Sequence, residues 1–179
     1  MTNSGSTAKK IAALAVMAAL LTGGKAALSA IFNVEIVSLF CALFGYVFGP
    51  IAVIPVCSFV FIEVLIWGIG YPSWVIAYFI NFNLIAILFW LLSKIKLKTP
   101  VLYCIVIAVM TFLFGVLEAA LNVLPVSTDV ENFIWRFSVY YGRGIVFCLV
   151  HIVSNTVIFA VLFMPLKKLL IVIKEKMRI

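Results

Sequence analysis

The sequence predicts an all-α integral membrane protein: one domain over residues 1–179, a bundle of six transmembrane helices with both termini cytoplasmic. Three observations carry this. The chain is 66% hydrophobic and 11% charged, where a soluble domain is about half apolar and a quarter charged. Its apolar residues gather in runs of about 18 or more, the length that crosses a bilayer core. Ten of its thirteen basic residues flank those runs: Lys9, Lys10, Lys94, Lys96, Lys98, Lys167, Lys168, Lys174, Lys176 and Arg178. That bias marks cytoplasmic loops, so the net charge of +7 is a matter of topology and does not point to nucleic acid.

Residues 1–8 are mostly polar and are expected to be disordered. Ile11–Phe32 follows Lys9 and Lys10 and is too long for a signal-peptide core. Further spans come after it, so it is expected to stay as the first helix. Ile36–Ile69 is one apolar run of 34 residues. It is either a single very long helix or two helices broken at Gly49-Pro50, since proline starts a helix well and sits badly inside one. The charges decide. A single helix gives five spans and puts the Lys94–Lys98 loop opposite the N-terminus. Two helices give six spans and put the N-terminus, that loop and the C-terminal tail on one side. The short second helix, about Ile36–Phe48, is expected to be buried in protein or to sit in thinned bilayer, because the core is about 30 Å thick.

The remaining spans are Trp74–Leu92, Val101–Leu124 and roughly Ser138–Met164. Gly68–Pro72 and Pro125–Asn132 become outer loops. Trp67, Trp74 and Trp135 then fall at the outer interface, where tryptophan is favoured. Residues 166–179 are amphipathic and are expected to leave the membrane along its cytoplasmic surface. No internal repeat is evident, so an inverted-repeat transporter has no support.

Polar groups at membrane depth are costly and normally turn to the protein interior or to a wet cavity. Here they cluster on the outer side: Lys25, Asn33 and Glu35, then Glu63 with Trp67, then Trp74, Tyr78 and Asn81 on one face. Glu118 and Asn122 stand four apart on the fifth helix. Arg143, Phe147, His151 and Asn155 follow at i+4 on the sixth and form one stripe. Together these residues outline an outward-facing polar pocket with aromatic walls, the usual makeup of a small-molecule site. Glu63 and Glu118 serve either that pocket or as pairing partners for Lys25 and Arg143. His151 is either a ligand-binding group or a hydrogen-bonded helix histidine.

Enzyme chemistry finds little footing, and no catalytic residue is expected. The single histidine excludes a three-histidine metal site, and no HExxH is present. There is no GxSxG and no GxxxxGK[ST] loop, so the chain cannot hydrolyse ATP by that route. No metal or cofactor is expected. Cys41, Cys57, Cys104 and Cys148 lie in apolar runs without a CxxC pair and read as packing residues.

On the first helix, Ala12, Ala15 and Ala19 give a smooth face that lets another helix approach closely. This helix, Asn33-Val34-Glu35-Ile36, Gly45-Tyr46-Val47-Phe48-Gly49-Pro50 and Gly142-Arg143-Gly144 with His151, Asn155 and Pro165-Leu166 form a familiar series. The chain resembles the substrate-binding S subunits of prokaryotic energy-coupling factor (ECF) vitamin transporters along essentially its whole length. The resemblance implies a plasma-membrane protein that binds a water-soluble vitamin or precursor from outside. It implies docking on a transmembrane coupling protein carried by two ATPase subunits, which use the ATP. The docking face maps to Ala15 and Ala19. The pocket maps to Asn33, Glu35, Trp74, Tyr78, Asn81, Glu118, Asn122, Trp135, Tyr140, Tyr141, Arg143, His151 and Asn155. Glu63 lies off that pattern.

Aromatic rings with amide and carboxylate partners suit a flat polar heterocycle. Lys25 or Arg143 could instead meet a carboxylate such as pantothenate or biotin presents. A self-sufficient ion-coupled carrier is the alternative function, and a membrane-embedded hydrolase a more distant one.

Overall fold

The computed structural model describes residues 3–70, 72–95 and 100–177. Lys96, Lys98 and Arg178 of the basic flanks lie outside the described residues. The described chain folds into six α-helices: α1 Asn3–Leu28, α2 Val37–Phe48, α3 Val53–Trp67, α4 Pro72–Ile95, α5 Pro100–Val123 and α6 Val130–Met177. Short 3-10 turns, Gly49–Ala52 and Leu124–Val126, follow α2 and α5. Five helical stretches are long and apolar enough to cross a membrane, with residues 37–67 counted as one of them.

That long stretch is not a single rod. Gly49 has φ 77°, a left-handed conformation open to glycine at little cost, and Pro50 follows with no N–H to give. Both α2 and α3 pack on α4, in opposite senses. Gly45 lies against Ala86 and Gly49 against Trp90, so α2 runs with α4. Cys57 Sγ meets Asn83 Oδ1 at 3.7 Å, Phe59 packs on Phe82, and Glu63 pairs with Lys25, whose ammonium stands over Trp74 and Tyr78. Rising numbers on α3 therefore match falling numbers on α4. The chain turns where Gly49-Pro50 interrupts the apolar run.

The short α2 is packed by protein. Nine of its twelve residues are buried, against α4, α6 and α1. A Cβ on Gly45 would stand 2.0 Å from the Ala86 carbonyl oxygen, so glycine is what lets these two helices approach so closely.

One end of the bundle is aromatic and basic. Tyr103 packs at a tilt against Phe163 at 4.9 Å, and Phe163 stacks on Phe159 at 5.0 Å. Lys167 Nζ sits 4.9 Å from the Tyr46 ring centre, a cation–π geometry. Lys174 Nζ donates to the Val47 carbonyl at 2.7 Å. Lys10 and Lys174 share a small cleft with Phe48 and Ile51.

Two boundaries differ from expectation. Helix α1 begins at Asn3, inside the stretch expected to be disordered. Helix α6 continues through Pro165 for 48 residues, about 72 Å at 1.5 Å per residue. Residues 166–177 thus extend α6 and form no separate helix. Pro165 removes one backbone donor, but the Lys167 and Lys174 contacts hold the following turns on the bundle. At its other end, α6 starts on Asp129, whose carboxylate accepts the Asn132 N–H at 2.8 Å and the Thr128 hydroxyl at 2.9 Å. Those bonds hold the Asp129 carboxyl below the usual carboxylate range, and the cap starts the helix sooner than the outer loop expected over Pro125–Asn132.

Gly45→Ala is expected to force α2 and α4 apart and to destabilise the protein by about 1–3 kcal/mol, the usual scale of overpacking. Thermal unfolding in detergent checks this. An unchanged midpoint would show that the approach of Gly45 to Ala86 is not needed.

Candidate solute-binding cavity

Polar and aromatic side chains converge where α5 ends, α6 begins and the link 29–36 joins α1 to α2. Helices α5 and α6 pair antiparallel. Asn155 Nδ2 donates to Thr111 Oγ1 at 3.1 Å. The His151 and Phe114 rings meet edge-on at 5.9 Å, and Cys148 Sγ lies 3.1 Å from where a Gly115 Cβ would stand. These helices together line a cavity of about 680 Å³, within the roughly 300–1,000 Å³ of small-molecule sites.

Eight of the thirteen expected pocket residues line it. Asn33, Glu118 and Asn122 come from the link and α5. Trp135, Tyr140, Tyr141, Arg143 and His151 come from α6. Phe147 of the α6 stripe lines it too, and among the further walls Phe114, Gly115, Arg136 and Cys148 had not been expected there. Phe147 carried a signal, its place in the i+4 stripe; the others carried none that a single sequence shows. A Cβ on Gly144 would meet nothing within 4 Å, so the α6 wall is bare beside Arg143.

The floor is a hydrogen-bonded knot centred on Glu35. Its Oε1 accepts Asn155 Nδ2 at 2.9 Å and its Oε2 accepts the Ser38 N–H at 2.9 Å. Ser154 Oγ donates to the Asn33 carbonyl at 2.9 Å. Asn33 holds φ 55°, a left-handed conformation that asparagine tolerates better than most residues. Glu35 and Asn155 thus build the floor and do not line the cavity. His151 does line it. Its Nε2 is buried without a hydrogen-bond partner, 3.6 Å from Glu35 Oε1, beyond ordinary hydrogen-bond length.

The expected α4 residues stand elsewhere. Trp74 and Tyr78 meet edge-on at 5.4 Å, and Lys25 Nζ lies 4.7 Å from the Tyr78 ring centre. Lys25 is paired to Glu63, which is 2% exposed. Asn81 is buried within α4. This cluster reaches the cavity wall through Tyr78, whose ring lies 5.9 Å from that of Phe114. The two possibilities open for the glutamates therefore divide between them. Glu63 is a structural partner of Lys25. Glu118 and Arg143 both line the cavity, and among the described residues neither makes an ion pair or side-chain hydrogen bond. Asn122 is occupied: it donates to the Glu118 carbonyl and accepts from Ser73, both at 2.9 Å.

Ala15 and Ala19 are exposed and line a separate shallow groove against Ile54, Ser58 and Ile62 of α3. Among the described residues no cluster of histidine, cysteine and carboxylate side chains is placed to hold a metal ion. Comparison with protein-family models, curated proteins and solved structures finds no match.

The geometry separates two neighbours on the α6 stripe. His151→Ala removes a cavity group whose polar neighbour in the fold is Glu35 at 3.6 Å, so solute binding should weaken roughly three- to thirty-fold, the equivalent of about 0.5–2 kcal/mol, with a smaller loss of stability than Asn155→Ala. Asn155→Ala strands Glu35 and Thr111 and is expected to cost about 1–3 kcal/mol of stability. Equilibrium binding beside thermal unfolding of both variants checks this. Loss of stability in His151→Ala and none in Asn155→Ala would reverse the assignment.

Proposed function

We propose that the chain is the substrate-binding subunit of an ECF-type transporter in the plasma membrane of a prokaryote. It captures a water-soluble vitamin or vitamin precursor and passes it on through a transmembrane coupling protein driven by two partner ATPases. The observation that carries this is the 680 Å³ cavity, where among the described residues Glu118 and Arg143 make no ion pair or side-chain hydrogen bond and His151 Nε2 has no hydrogen bond, with the Glu35 carboxylate 3.6 Å away. Charged groups at membrane depth are normally satisfied by protein. Two that are left open, with a histidine beside them, fit a site waiting for a polar solute in one aromatic-walled space. The exposed Ala15 and Ala19 face supports docking on a partner helix. The chain itself is a binder and carries no catalytic step.

The topology follows the same logic. Lys10, Lys94, Lys167 and Lys174 mark the end of the bundle away from the cavity. Basic residues favour the cytoplasm, so that end faces inward and the cavity outward. With the turn at Gly49, the six helices then cross alternately. Cysteines introduced at Lys9 and Lys94 should both be shielded from a membrane-impermeant reagent added outside, since an even number of crossings lies between them. Reaction of one of the two from outside while the other stays shielded would leave five crossings.

The decisive experiment is transport. Liposomes holding the chain with an ECF module should accumulate solute with ATP, and liposomes holding the chain alone should not. Uptake by the chain alone on an ion gradient would instead establish an ion-coupled carrier. Ala15→Trp or Ala19→Trp should leave solute affinity within about twofold and abolish uptake by the full complex, because a bulky residue prevents close helix contact. Parallel loss of binding and uptake would make these alanines part of the protein's own packing.

A further inference from the structure

We infer that the α5–α6 cavity selects a dipolar aromatic solute, with its anionic group held by Arg143 and its protonated amine by Glu118. This rests on the solute-binding role proposed above and names the chemical class that the site takes.

The register of α5 and α6 carries the inference. Thr111 pairs with Asn155, Phe114 with His151, and Gly115 with Cys148. Continued along two antiparallel helices, that register brings Glu118 to the turn of α6 that holds Arg143 and Phe147. Glu118 and Arg143 therefore face one cavity at similar depth from adjacent helices. They have opposite charge, yet make no ion pair. The same protein closes Lys25 onto Glu63 where nothing needs to enter. Glu118 and Phe114 are partly buried, while Arg143, Tyr140 and Phe147 are exposed at the mouth of the cavity; a charge against apolar surface is costly without a partner. A solute bearing both charges satisfies both residues. A singly charged solute satisfies one and leaves the other without a partner, which discriminates against it.

The other lining groups set the rest of the solute. One charge of each sign cancels, so a solute of no net charge matches the pair. Arg136 also lines the cavity, but its Nε already donates to Asn132 Oδ1 at 2.7 Å. His151 lies eight residues from Arg143, about 12 Å deeper at 1.5 Å per residue. Between the charged turn and the His151 floor the walls are aromatic and suit a flat ring system. The buried Nε2 of His151 offers that ring one polar contact at its far end.

Four indole compounds test the charge rule: tryptophan with both groups, tryptamine without the carboxylate, indole-3-propionate without the amine, and indole without either. Binding is measured with the full chain in nanodiscs after bound solute is washed out. Tryptophan is expected to bind about ten- to a hundred-fold more tightly than tryptamine or indole-3-propionate, the scale of one charge-assisted hydrogen bond, and more tightly than indole by a larger factor. Arg143→Gln should erase the preference over tryptamine, and Glu118→Gln the preference over indole-3-propionate. Arg143→Lys should retain most of the preference and controls for folding. Binding of any other member as tight as that of tryptophan overturns the dipolar class, as does a preference that survives both glutamine variants. Failure to bind tryptophan overturns it too, and mass spectrometry of the denatured, unwashed chain then separates the two ideas. Release of a small molecule leaves the solute-binding role standing. Release of none, with no probe bound, removes both.

Discussion

A polar group inside a bilayer has no water to turn to, and the placing of side chains in this bundle follows from that constraint. Glu35 is satisfied by Asn155 and by the Ser38 N–H. Lys25 is satisfied by Glu63 and by two aromatic rings. Asn83 turns back on the Phe79 carbonyl at 2.7 Å, and Asn122 joins α4 to α5. Against this background Glu118 and Arg143 make no ion pair or side-chain hydrogen bond among the described residues, and both line one cavity with His151; the Thr22 hydroxyl is also buried without a partner, at the separate α1 groove. A buried ion pair such as Lys25–Glu63 offsets its own desolvation only in part, so it is better understood as fixing α1 against α3 than as a large source of stability. The free groups are the ones with interaction energy left to give to a solute.

The constraint reaches the backbone through α2. A helix of twelve residues spans about 18 Å, well short of a bilayer core of about 30 Å. It is tolerated because protein surrounds it, and it packs on α4 so closely that only glycine fits at Gly45. Its two ends are then tied to the two ends of the bundle. Glu35 and Ser38 join its start to the cavity floor, and the Val47 carbonyl joins its finish to Lys174 of α6. The cavity floor is thus anchored to the most buried helix of the fold.

Much of this was legible in the chain. Apolar run lengths and basic flanks gave the helices, and Gly49-Pro50 gave the turn between α2 and α3. The end of α6 was not legible, because Pro165 reads as a stop and the lysine contacts that carry the helix past it are tertiary. The site was legible in part. Helical spacing shows which residues share a face, as with Arg143, Phe147 and His151. It does not show which neighbour that face meets. Trp74 and Tyr78 share a face too, but that face meets Lys25 and Glu63. Asn155 continues the α6 stripe, but one turn below His151 the helices have closed and its amide is used by Glu35 and Thr111.

That closing point explains why one helix face serves two purposes. Along α6 the contacts with α5 run from Cys148 against Gly115 to Asn155 against Thr111, while a Cβ on Gly144 would meet nothing within 4 Å. Among the described residues Glu118 and Arg143 line the cavity without a side-chain partner, whereas Asn122 beside them and Asn155 in the floor are bonded within the protein. His151 stands at the boundary, with its ring packed on Phe114 and Nε2 buried but unbonded. Gly115 lets the two helices meet here, since a Cβ there would stand 3.1 Å from Cys148 Sγ. It therefore shapes the cavity wall while offering a solute no more than its backbone.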